Sequence, residues 1–158
     1  MEIVDEIVQL AKKRILEMGY QEPILFIKGT KKKVAMGFQK FGDTSIQKER
    51  TMLNAGANLA HKNSVGELEA LVFVDEAWMD MNVDVLPSED PKRVEVLLIN
   101  TFDAATQEER VMMFEMVRNK EGKITDLKQK SLPEGGSVKG VLLPAFRKGY
   151  QMIQPTTN

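Results

Sequence analysis

Apolar residues at positions 3, 7, 11, 15 and 18, supported by Val4 and Val8, recur at helical spacing and predict an amphipathic helix over residues 2–18. Its acids come first (Asp5, Glu6) and its bases later (Lys12, Lys13, Arg14), the order a helix dipole favours, and Gly19 is a natural stop. Pro23 then opens Ile24-Leu25-Phe26-Ile27, an apolar run too short for a helix. Gly29-Thr30-Lys31-Lys32 reads as a turn, and Val34, Met36 and Phe38 alternate on the return, which predicts a β-hairpin with a basic tip. Gly42-Asp43-Thr44-Ser45 supplies N-cap chemistry for a second helix from about 45 to 62, with Ile46, Leu53, Ala57 and Ala60 on one face. Gly56 sits in its middle at a cost of about 1 kcal/mol relative to alanine, so a packing reason is expected: a small residue lets the helix lie close on a sheet.

From residue 68 the texture changes. Leu68 to Val74 is apolar on both faces for most of its length, as in a central strand, and continues to Trp78. Trp78 shares a face with Val72, Val74 and Glu76 and is expected to pack beneath a helix. Pro87 and Pro91 punctuate a loop. Strands are predicted over 93–102 and 110–118, with a short edge strand over 124–128 whose lysines blunt further pairing. Gly135-Gly136 is a break, a short helix is expected over 142–150, and residues 154–158 form a frayed tail. Strands joined by short loops pair antiparallel. The expected fold is therefore α+β, a single antiparallel sheet of five to six strands in the order α-β-β-α-β-β-β, with helices packed on one face. Residues 1–153 are expected to form one domain.

Composition narrows the chemistry. The chain of 158 residues has no cysteine, which excludes disulfides, Cys-ligated zinc, iron–sulfur clusters and a Cys nucleophile. Its first residues are acidic and alternating, where a secretory signal is basic and then apolar, and no apolar run approaches the ~20 residues of a membrane span. A cytoplasmic protein without membrane partners is expected. The net charge is −1, yet residues 28–50 carry +5 and residues 67–95 carry −7. Opposite patches of this kind, with sheet edges to be covered, lead to the expectation of a homodimer, or of a protein partner.

Val72-Phe73-Val74-Asp75-Glu76-Ala77-Trp78-Met79, followed by Leu86-Pro87-Ser88-Glu89-Asp90-Pro91 and a strand opening at Glu95, resembles a family of uncharacterised bacterial proteins. The resemblance covers about a sixth of the chain and implies no catalytic role. The element order resembles that of the roadblock/longin-like interaction domains, an analogy of fold alone.

Within the strands, Asp75, Glu76 and Glu95, with Glu115 further on, are candidate ligands for a divalent metal in a hydrolase or nuclease. The Glu-x-Lys spacing of many nuclease cores is missing, since the strand reads Glu95-Val96-Leu97. The plainer reading, solvent-facing acids or acids paired with neighbouring bases, is preferred. Lys31, Lys32 and Lys33 are a candidate polyanion contact, but aromatic interleaving is limited to Phe38 and Phe41, so nucleic acid is the weaker alternative. His61, the only histidine, is better placed against helix C-terminal carbonyls than as a general base. Gly29-Thr30-Lys31-Lys32 lacks the first glycine of a phosphate loop. The Met79/Met81 and Met112/Met113/Met116 groups read as core filling before adaptable binding surface. With no cofactor motif, the expected function is a non-enzymatic binding or assembly module.

Overall fold

The computed structural model describes residues 2–79, 94–130 and 141–153. These residues form three helices, α1 (Glu2–Met18), α2 (Ser45–Lys62) and α3 (Leu142–Ile153), and six strands. The strands are β1 (Ile24–Gly29), β2 (Lys33–Gly37), β3 (Leu68–Met79), β4 (Val94–Asp103), β5 (Glu108–Arg118) and β6 (Ile124–Lys130). They form one antiparallel sheet in the order β2-β1-β3-β4-β5-β6. The fold is α+β, as the hydrophobic pattern predicts.

The helices lie on both faces of the sheet, where the sequence led us to expect one. The reason is β3, buried on both sides from Ala70 to Val74. Its Leu71 and Phe73 join Leu25, Ile27 and Phe102 under α2 and α3, which contribute Met52, Leu59, Phe146 and Tyr150. Its Val72 and Val74 join Leu97, Ile99, Phe114, Met116 and Ile124 under α1, which contributes Ile7, Val8, Ala11 and Ile15. Each fully buried aliphatic side chain of this kind stabilises the fold by roughly 1.5–3 kcal/mol. A strand that is apolar on both faces needs a cover on each, and one helical layer supplies only one.

Local chemistry sets the helix ends. Thr44 caps α2: its side chain accepts from the Gln47 N–H at 3.1 Å, and the Gln47 side chain accepts from the Thr44 N–H in return. Asn63 closes the helix in the left-handed region at φ 48°. Two details depart from the periodicity. The buried stripe of α2 is Met52, Gly56, Leu59 and Ala60, and Ile46 is exposed. Gly56 brings α2 against α3 and not against the sheet, because a Cβ there would run into the Phe146 carbonyl; at Gly149 one would run into the Leu53 carbonyl.

The ring of Trp78 lies outside the described residues, so its expected packing is not placed. The same holds for Met81, Pro87, Pro91, Gly135-Gly136 and the tail 154–158. Among the described residues no helix is long and apolar enough to cross a membrane.

Candidate functional site

The strand carboxylates separate. Asp75 follows Leu71 and Phe73 onto the α2/α3 face, while Glu76 follows Val72 and Val74 onto the α1 face. Glu95, paired across from Trp78, shares the Glu76 face. It is bound bidentately by Arg118, with Nε and Nη2 at 2.6 and 3.2 Å. The Glu76 carboxylate accepts the backbone N–H of Gln21. Glu115 lies on the α2/α3 face and pairs with Lys130 at 2.8 Å. Asp75, Glu76 and Glu95 are thus not brought to one point, and among the described residues no group of three acids or histidines is spaced to hold a metal ion. Beside Asp75 on its face stands Asn100, 5% exposed, whose Oδ1 is buried with no hydrogen-bond partner among the described residues.

The lysine tip is tied down by its backbone. Lys31 N–H donates to the Val65 carbonyl at 2.9 Å, Thr30 N–H to that of Glu67 at 2.9 Å, and Glu67 N–H to the Thr30 hydroxyl at 3.0 Å. Lys31, Lys32 and Lys33 are exposed. His61 is exposed in the last turn of α2, beside Lys62. Met113 and Met116 are buried.

The site that stands out was not among these candidates. On its face of the sheet α1 packs over β3 to β6, touches β1 through half-buried Phe26, and leaves Ala35 and Gly37 of β2 exposed. Between α1 and β1 runs a groove of 400 Å³, walled by Leu10, Ala11 and Met18 and floored by Ile24, Phe26 and Val74. Leu10 and Met18 are each 54% exposed. Arg14 and Gln21 line the same groove. The Arg14 Nη2 is 3.8 Å from Glu22, but its Nε is buried and has no hydrogen-bond partner among the described residues. Past Phe26 and Ile24 the floor continues to their cross-strand partners, Ala35 and Gly37, both exposed. The result is an apolar shelf from α1 to the edge of the sheet.

No family model, curated protein or solved structure matches this chain.

At the other end of α1 an open cleft of 790 Å³ mixes Glu6, Glu69 and Asp103 with Lys28 and Lys33. Lys28 and Glu69 pair there at 3.3 Å. Because β1 and β3 are neighbours, the basic and acidic stretches of the sequence meet within one chain.

One signal for the shelf was available in the sequence. Leu10 widens the apolar face of α1 beyond its inner stripe, with Ile3 and Ile7 preceding it at helical spacing. The periodicity places Met18 on that stripe, whereas the packing puts it on the groove side.

Proposed function

We propose that the protein is a non-enzymatic binding module that receives a segment of a partner protein on the shelf beside α1. The observation that carries the reading is the exposure of Leu10 and Met18 along a groove whose floor is half-buried Ile24 and Phe26, with Val74 buried at its base. Isolated exposed apolar side chains are ordinary on a soluble protein; a contiguous set lining a groove marks an interaction surface. The cytoplasmic setting expected from the sequence belongs to the same proposal.

The absence of cysteine makes the test direct. A Leu10→Cys variant carries one thiol in the groove, and a Glu121→Cys variant carries one on an exposed turn. Maleimide labelling at residue 10 is expected to be several-fold slower in intact cells than in dilute purified protein, with residue 121 unchanged. Equal protection ratios at the two positions would reject the proposal. Protection that returns in the purified protein as its concentration rises identifies the occupant as a second copy, the homodimer expected from the sequence.

A further inference from the structure

The sheet ends on one side at β2, and its hydrogen-bonding pattern shows which groups the edge offers. Gly29 N–H donates to the Lys32 carbonyl at 3.0 Å and Phe38 N–H to the Pro23 carbonyl at 3.1 Å. Between these two bonds the antiparallel ladder alternates, so Val34 and Met36 turn their peptide groups toward β1. The N–H and C=O groups of Lys33, Ala35 and Gly37 therefore point outward, and these are the three exposed residues of the strand. No backbone bond to another described element uses them.

Such an edge is usually blunted. The opposite edge, β6, is: it carries Lys128 and Lys130, the latter paired with Glu115. β2 has no proline, no bulge in its pairing with β1 and no charge after Lys33. Its side chains are graded across the two faces. Val34 and Met36 are half-buried against the α2/α3 core, while Ala35 and Gly37 leave the α1 face low and open. A strand laid alongside would extend both surfaces.

Charge selects the occupant. From Lys28 to Phe41 the chain has five lysines and no acid. Lys28 and Lys33 stand directly opposite each other, a like-charge pair that is ordinarily unfavourable; Lys28 is answered by Glu69, and Lys33 has no ion pair among the described residues. Pairing β2 with a second β2 would set two such lysine-rich segments side by side.

We propose that β2 accepts an extended acidic segment of a partner protein as a seventh strand, its backbone paired with Lys33, Ala35 and Gly37 and its carboxylates set among Lys31, Lys32, Lys33 and Lys40. The inference rests on the binding-module reading and names the chemistry and geometry of its partner. Main-chain bonds supply the affinity in recognition of this kind, and side chains supply the choice.

The test uses the full chain and a synthetic peptide of alternating Glu and Val, with the same peptide N-methylated at alternate residues and a single-stranded RNA of similar charge as comparators. Fluorescence anisotropy is expected to show saturable binding of the peptide. Binding should fall about tenfold or more on N-methylation, which removes strand donors and keeps the charge. It should fall similarly in Ala35→Pro, where proline removes an outward N–H that β1 does not use. The N-methylated comparison needs no altered protein, so it decides the matter even if Ala35→Pro fails to fold. No binding at about 1 mM peptide, the weak limit for a specific contact, overturns the proposal. So does equal binding of both peptides, which means attraction by charge alone, or tighter RNA binding that Ala35→Pro leaves intact. A dimer by light scattering that Ala35→Pro abolishes assigns the edge to a second copy and overturns it as well. Protection of residue 10 in cells with no strand addition at β2 leaves the binding module standing and removes this inference alone.

Discussion

Asp75 is the first residue of β3 past the fully buried run from Ala70 to Val74 and is itself half-buried. Burial raises its carboxyl from 3.8 to about 6, against a 2.8 Å hydrogen bond from the Glu76 N–H and the charge of Lys48 on α2, with Glu76 adding a small upward push. The folded state holds this proton more tightly than the unfolded chain does. Stability contributed by the protonated group is therefore present at low pH and lost as pH rises between 3.8 and about 6, with no further loss above. For a partly exposed group the loss is on the order of 2 kcal/mol. Asp75→Asn keeps the shape and removes the titration, so it is expected to be the more stable protein at pH 7–8 and to lose that advantage near pH 4. Urea unfolding across this range checks the sign; parallel pH profiles for the two proteins would show that Asp75 is not the group responsible. Adjacent Asn100 also buries its amide on this face, and its Oδ1 has no hydrogen-bond partner among the described residues.

At the scale of elements, α2 and α3 approach each other through two glycines. A Cβ at Gly56 meets the Phe146 carbonyl and one at Gly149 meets the Leu53 carbonyl, both backbone groups that cannot step aside. Helix propensity favours alanine over glycine by about 1 kcal/mol. Overpacking wins at such contacts and typically costs about 1–3 kcal/mol net. Gly56→Ala and Gly149→Ala are each expected to lower the urea midpoint with an unchanged slope. A gain in stability for either would mean that the helices separate more easily than their contact implies. The contact is held further by the Tyr150 hydroxyl, which donates to the Gly66 carbonyl from the α3 side. The hairpin, the cap at Thr44 and the edge lysines of β6 were legible because each depends on residues within a few positions of one another. The partner of Gly56 was not, because Phe146 lies ninety residues away and no periodicity in α2 points to it.

At the scale of the whole molecule, β3 lies between two hydrophobic clusters of the described residues. Alternate residues of one strand serve both: Leu71 and Phe73 on one side, Val72 and Val74 on the other. Neither cluster can be lost while the other keeps its floor, so unfolding is expected to be a single cooperative transition. Phe73→Ala should remove roughly 3–5 kcal/mol, the range for a buried aromatic, and shift the whole transition. Trp78 fluorescence and far-UV circular dichroism are expected to give coincident curves in the wild type and the variant. A biphasic curve in which one probe moves first would show the two layers to be independent. At this scale the opposed charge stretches lose part of their force as an argument for a dimer, because adjacent strands bring them together in one chain through Lys28 and Glu69.

The hydrophobic pattern by itself determined the helices and strands, their order and the α+β class, because periodicity, caps and turns act over a few residues. It also placed Asp75 and Glu76 on opposite faces, since side chains alternate along any strand. Only the tertiary structure decided that helices cover both faces, that Gly56 meets α3, and that α1 stops short of β2. It alone decided that Arg118 occupies Glu95 and Lys130 occupies Glu115. Each of these depends on which distant segments pack together, and an exposed apolar shelf is defined by what fails to cover it, which no local pattern of residues records.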